Sequence, residues 1–283
     1  MLWENIRSNE FKAAVEASNG VCAVPIGCLE KHGIHSPLGT DTIIASETVR
    51  RAAELEPVVV FPTMYFGDKS GAGEFDGTVI FSLETRWRIF RETCNEIYRN
   101  GFKKIIFCNG HGGNAGMLST FTRAMLEENP HVMTFTCLTE VSPLKACVAI
   151  ANDTETYDYL TNEDRAALLD FAEKKKVTGH ACFSETALTY EYRPETVRLD
   201  LIQAECGESV HRFDAFDPYG IQTHFGWMGN YPNSYHGSND YVLNERIAKA
   251  MADINVKKIA GIFHFLKNET ISDEYQKEWL AKR

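Results

Sequence analysis

The sequence predicts an α/β fold in which a mostly parallel sheet is covered by helices on both faces. Two observations carry this. Short apolar runs alternate with segments of helical periodicity through the first half of the chain, the alternation expected of successive βαβ units. At 283 residues and 44% hydrophobic, with no internal repeat and no Pro/Ser linker, the chain is also long enough to bury a substantial core as one domain over 1–283.

Residues 21–26, "VCAVPI", form the first apolar run and end at Gly27; the loop "CLEKHGIHSPLGTD" follows, and helical periodicity starts at Asp41 in "DTIIASETVRRAAEL". The segment 57–62, "PVVVFP", repeats the strand signal. A polar, Gly-rich loop occupies 67–78, and "ETRWRIFRETCNEIYRNG" reads as an amphipathic helix stopped by Gly101. "KKIIFC" at 103–108 is the next strand, "NGHGGN" turns the chain, "AGMLSTFTRAMLEE" makes a helix and "HVMTFTCL" a further strand. The second half is less regular. Segments 162–176 and 239–267 read as helices, while 207–239, rich in Gly, aromatics, His and Asn, reads as a loop of a length that usually serves function.

Charge and cysteine usage exclude several classes. With 29 Lys and Arg against 39 Asp and Glu the net charge is −10, and no basic run is long enough to track a phosphate backbone, so no nucleic-acid partner is expected. The N-terminal segment carries acids and lacks an apolar leader core, and no apolar stretch reaches the roughly 18 residues of a membrane span. Eight cysteines, none in a C-x-x-C pair, suit reduced thiols. The expectation is a cytoplasmic protein with no membrane association and a small-molecule substrate.

Four segments can carry chemistry. In the loop 28–41, Glu30, His32, His35 and Asp41 sit where neither helix nor strand runs through them, and imidazole nitrogen with carboxylate oxygen converging from a turn suits a divalent ion. A helix-capping Asp41 with solvated histidines is the competing explanation. "NGHGGN" at 109–114 presents His111 from a second strand-to-helix turn, and such turns in a parallel sheet face one crevice. A phosphate cradle at the same turns is the alternative, although "NGHGGNAG" has no P-loop lysine. His180 and Glu185 stand five apart after Gly179; on their own they read as a hydrogen-bonded structural pair. The aromatic segment 224–237 reads as a packed loop or a pocket wall.

Taken together these segments resemble the creatininase family. "PIGCLEKHGIHSPLGTDTIIA" is similar to its first motif, P-x-G-S-x-E-Q-H-G-x-H-L-P-x-G-T-D-T, and "NGHGGN" and "HACFSET" resemble its second and third, in the same order. "FDGTVIFSLET" and "GWMGN" fit two further stretches, and the resemblance runs from about Pro25 to the helix beginning near Asn239. It implies a three-layer α/β/α sandwich, assembled as a homohexamer, with two divalent ions (zinc, manganese or iron) at the carboxyl edge of the sheet. Carried over motif by motif, Glu30, Asp41 and His111 would hold one ion and His32, Asp41 and Glu185 the other, with His180 as proton shuttle. Creatininase itself has glutamate two residues after the motif-two histidine; this chain has Gly113 there, and Glu185 is the inferred replacement. Cys28, Lys31, Cys182 and Asn230 depart from the usual Ser, Gln, Gly and Asp at positions expected to line or flank the cleft. Cys28, His35, Gly113, Asn114, Cys182 and Trp227 are the candidates for substrate contact.

The implied chemistry is hydrolysis by metal-activated water of a cyclic amide, formamide or related carbonyl compound. Two rivals stand beside it. One keeps the metals but breaks a C–C bond in a keto-cyclitol ring; the other is a non-catalytic protein that binds a phosphorylated metabolite at its glycine turns.

Overall fold

The structure is a computed structural model and describes residues 1–68, 71–174 and 178–282. Its centre is a sheet of four strands, β1 (Val21–Ile26), β2 (Val59–Val60), β3 (Lys104–Asn109) and β4 (Met133–Leu138), in the order β2-β1-β3-β4. All three pairings are parallel. Around it, among the described residues, lie α1 (Phe11–Ala17), α2 (Thr40–Leu55), α3 (Leu83–Arg99), α4 (Asn114–Glu128), α5 (Pro143–Asn152), α6 (Asn162–Glu173), α7 (Phe183–Tyr192), α8 (Gly226–Asn230), α9 (Glu245–Asn268) and α10 (Ile271–Ala281).

Strand alternation builds the layers. Cys22, Val24 and Ile26 of β1, with Ile105 and Phe107 of β3, pack against α1, α3 and α4. Their neighbours Val21, Ala23, Ile106 and Cys108 face the other way, onto α2 and α9. Both central strands are therefore buried along their whole length, which is why they read as continuous apolar runs. The result is the expected α/β/α sandwich. A further cluster joins α5, α6 and α7 to the first half of α9 beyond the end of the sheet.

Several boundaries differ from the sequence reading. The run 57–62 yields only Val59–Val60 as β2, because Pro57 and Pro62 have no N–H to give the ladder. The helix expected from 239 starts at Glu245, where the Asn244 side chain accepts from Ile247 N at 3.1 Å and caps it. In the helix expected over 162–176, α6 ends at Glu173; residues 175 and 176, like 69 and 70 of the expected Gly-rich loop, lie outside the described residues. Helices α1, α5, α7, α10 and the short α8, which lies inside the expected 207–239 loop, were not legible as separate elements. Among the described residues no helix is long and apolar enough to cross a membrane.

Candidate metal centre

The loop after β1 is folded back onto α2. A Cβ at Gly27 would lie 2.6 Å from the Asp41 carbonyl carbon, so only glycine lets the strand end pass this close to the first turn of the helix. Thr42 Oγ1 then donates to Cys28 O at 2.9 Å, and Glu30 N donates to Leu38 O at 3.0 Å, closing the loop. Asp41 sits in the first turn of α2, where the helix dipole favours a carboxylate. It does not cap that helix: Gly39 holds the N-cap position, with no side-chain hydrogen bond. Both Asp41 oxygens turn inward instead.

At the end of β3, Asn109 Oδ1 accepts from His111 N and from Asn114 Nδ2, each at 3.0 Å, and Asn114 Oδ1 accepts from Asp68 N at 2.6 Å. This amide network sets His111 and the Asp68 backbone beside each other. Further on, Gly179 (φ +153°) and Ala181 (φ +51°) turn the chain sharply before α7. A left-handed alanine is a costly conformation. It delivers His180 and Glu185, in the first turn of α7, to the same place.

Glu30, His32, Asp41 and His111 are buried together. His32 Nε2 lies 3.1 Å from Asp41 Oδ1 and 3.7 Å from Glu185 Oε2. His111 Nδ1 lies 2.9 Å from Asp41 Oδ2 and 3.1 Å from Glu30 Oε1. His180 Nδ1 stands 3.5 Å from Glu30 Oε1. The far nitrogen of each ring meets a backbone carbonyl: His32 Nδ1 on Glu30 O at 3.2 Å, His111 Nε2 on Asp68 O at 2.8 Å, and His180 Nε2 on Lys31 O at 2.6 Å. A carbonyl only accepts, so those three nitrogens carry the protons and donate. The nitrogen left over on each ring faces the carboxylates, the arrangement found around metal-binding histidines. Three sets bring one ligand atom per residue within 4.8 Å of each other: Cys28, Glu30, Asp41 and His111; His32, Asp41 and Glu185; and Glu30, His32 and His180.

The electrostatics are those of crowded, dehydrated carboxylates. Burial pushes Glu185 up to about 8; His32 opposes this, while Asp41 and Glu140 reinforce it. Burial likewise raises Asp41, but His32 and His111 beside it hold its carboxyl well below the usual range. Glu185 Oε2 is buried and has no hydrogen-bond partner. A cation would complete such a shell.

A cavity of about 500 Å³ opens above the cluster, lined by His111, Gly113, Glu140, His180, Glu185 and Trp227 among others. Of the expected substrate contacts it contains two. Gly113 lines it, and Trp227 sets its ring edge-on to His180 with centroids 4.9 Å apart. The others are placed differently. Asn114 is fully buried in the turn's amide network, and His35 is buried on Thr186 Oγ1 at 3.2 Å, its pKa lowered to about 4 by burial and His32. Cys182 packs inside, 3.3 Å from Ser184 Oγ. Cys28 is fully buried with Sγ donating to Asp41 Oδ2 at 2.9 Å. Lys31 leads away to Glu205 at 2.6 Å, and Asn230 holds the 207–230 loop by accepting from Phe213 N at 2.9 Å.

Sequence reasoning missed Glu140. It lines the cavity, accepts from Ser184 Oγ at 3.0 Å, and burial pushes it up to about 7, the Ser184 hydrogen bond opposing. Its signal was available: it stands two residues past the end of β4, at the edge where the other turns gather. The Asp68 carbonyl under His111 had none, since any residue supplies one.

Gly113 makes a sharp prediction. A Cβ there would collide with His111 Nε2 and press on Asp68 O at 3.0 Å, breaking the hydrogen bond that aims the ring. Its backbone is right-handed, φ −61°, so alanine adds no backbone strain. Gly113→Ala is expected to keep the fold by circular dichroism while metal affinity falls by ~10–100-fold, as for lost support of a ligand; titration against a chelating indicator measures it.

Fold and cluster define the class: an α/β protein with a buried imidazole–carboxylate centre of metal-binding type at the carboxyl edge of a parallel sheet. Residues 4–263 match the family model "Creatininase: Creatinine amidohydrolase". The chain belongs to the creatininase family. It is 30% identical over 111 residues to creatinine amidohydrolase of Pseudomonas putida, covering 38% of this chain and 43% of that protein. It is 32% identical over 106 residues to the mycofactocin precursor peptide peptidase of Mycobacterium tuberculosis, covering 34% of this chain and 42% of that protein. Both curated matches thus span less than half of those proteins. A crystal structure of creatinine amidohydrolase (creatininase) superposes with a TM-score of 0.67 at 18% identity, over 95% of this chain and 98% of that one. Solved creatininases with the same fold include a manganese form and a zinc–zinc form.

Proposed function

We propose that the chain is a metal-dependent hydrolase that holds two divalent ions and cleaves the C–N bond of a small carbonyl compound, a cyclic amide or a formamide. The observation that carries this reading is the set of three imidazoles, each anchored on a backbone carbonyl with its other nitrogen turned to buried carboxylates at the floor of a cavity. Glu30, Asp41 and His111 would hold one ion, and His32, Asp41 and Glu185 the other, with Asp41 common to both. The donors fit: nitrogen and carboxylate oxygen suit zinc, manganese or iron, and the Glu185 oxygen without a hydrogen-bond partner needs a positive neighbour.

Such ions, when bound, polarise a carbonyl and acidify water. The chain's own residues do the rest. His180, held by its Nε2–H on Lys31 O and backed by Trp227, presents Nδ1 to the cluster and can carry a proton to a departing nitrogen. Glu140 offers a second carboxyl at the cavity wall, Ser184 fixing its Oε2. His35 is held on Thr186 Oγ1 and is not among the residues that line the cavity.

C–N cleavage is favoured over C–C cleavage because both curated relatives are named for breaking amide bonds. A phosphorylated ligand is disfavoured: the described residues lining the cavity include Asp68, Glu140 and Glu185 but no Lys or Arg. The test is to strip the protein with a chelator, restore zinc, manganese or iron, and screen lactams, N-formyl compounds and short peptides. Hydrolysis that requires the restored metal is expected. Failure to take up metal, or turnover indifferent to chelation, overturns the reading.

We further infer a single domain over 1–283, a cytoplasmic location, and a homohexamer with 67–78 and 224–237 as candidate contact segments. A stable monomer by light scattering at micromolar concentration counts against the assembly.

A further inference from the structure

We propose that Cys28 is a fourth ligand to the ion held by Glu30, Asp41 and His111, binding it as thiolate and biasing that position towards zinc over manganese. The inference rests on the two-ion reading and adds a donor to one of its positions.

Geometry carries it. Cys28 Sγ lies 2.9 Å from Asp41 Oδ2 and 3.5 Å from Glu30 Oε1. His111 Nδ1 approaches the same two oxygens, at 2.9 and 3.1 Å. Sulfur and nitrogen therefore flank one oxygen pair. Four donors held at about 2.0–2.3 Å from a tetrahedral ion stand about 3.3–3.8 Å apart, so the closest observed contacts need to open by roughly half an ångström. Cys28, Glu30 and Asp41 are fully buried and His111 is 6% exposed, so no bulk water competes for the position.

Cys28 is held there by its backbone. Gly27 brings it against the start of α2, and its carbonyl accepts from Thr42 Oγ1 at 2.9 Å. A thiol serving only to orient Asp41 would need that one oxygen; this sulfur stands among all the donors of the set. On ion binding the S–H bond breaks, its proton leaves to solvent, and the sulfur lone pair takes up the metal. Asp41 Oδ2, relieved of the thiol, is free for the same ion.

Selectivity follows from donor type. Two carboxylates and an imidazole accept manganese and zinc alike, whereas thiolate favours the softer ion. The second position, His32, Asp41 and Glu185, has nitrogen and oxygen only. The two positions are thus unequal, and a mixed supply should load zinc at Cys28 and leave manganese for the other.

The experiment loads the full-length protein with cobalt(II) in place of zinc and records its spectrum beside its metal content. Two equivalents of cobalt with a thiolate-to-metal charge-transfer band in the near ultraviolet are expected. In Cys28→Ser, whose hydroxyl can still donate to Asp41, the two equivalents should persist and the band vanish. Competition between zinc and manganese should then show a weaker preference for zinc in the variant than in the wild type. Two equivalents bound to the wild type without the band, or the same band in Cys28→Ser, overturns the thiolate ligand alone. No cobalt bound at all overturns the two-ion reading, and this inference with it. Because the wild-type spectrum decides the first point, a variant that fails to fold does not rescue the proposal.

Discussion

Asp41→Ala is expected to leave the protein with neither ion. Among the described residues its carboxyl is the one group that turns one oxygen to His32 and the other to His111, at 3.1 and 2.9 Å. Removing it takes a charged donor from both sets at once, leaving Glu30 and His111 on one side and His32 and Glu185 on the other, beside Cys28 and His180. Losing an outer support of a ligand costs ~10–100-fold in affinity; losing a shared ligand should cost more at each position. Elemental analysis of the purified variant is the measurement. Glu185→Ala is the contrast: it removes a donor from the His32 set only, and should lose one equivalent. A nearly full complement of two ions in Asp41→Ala would show that the bridging assignment is wrong.

His180→Ala should behave in the opposite way, keeping both ions while turnover on the substrate found by screening falls by ~10²–10⁴, the usual worth of a general acid or base. The geometry gives this variant two possible outcomes, because His180 also stands within ligand distance of Glu30 and His32. Metal content separates them. A shuttle leaves the stoichiometry at two, and added imidazole should restore part of the rate by occupying the space beside Trp227. A drop in stoichiometry would make His180 a ligand instead.

Much of this site was legible because its residues lie where parallel strands end. Glu30, His32 and Asp41 share one short, glycine-marked turn and His111 sits in another, and the rule that ligand sites collect at the carboxyl edge brings the two together. His180 and Glu185 are proposed from the motif rather than from physics. No local pattern reveals that Ala181 adopts a left-handed conformation, which aims both side chains at the cluster. Of the expected substrate contacts, several have side chains turned into the interior. His35, Asn114 and Cys182 lie in conspicuous segments, but their side chains satisfy one another's neighbours in the interior. Direction of a side chain inside a loop is set by tertiary hydrogen bonds that a sequence pattern does not encode.

The origin of the six proposed donors has a mechanical consequence. Five, Cys28 among them, stand on turns attached to β1, α2 and β3, the framework of the sheet, while Glu185 arrives on α7. That helix packs on α2 and α9, and joins the α5–α6 cluster beyond the sheet. An ion held by His32, Asp41 and Glu185 would therefore be a rivet between α7 and the framework of the sheet, whereas its neighbour would be internal to that framework. The binding free energy of the riveting ion adds to the docking of the outer helices by mass action. Amide hydrogens of α5, α6 and α7 should exchange more slowly once it is seated, and those deep in β1 and β3 should change far less.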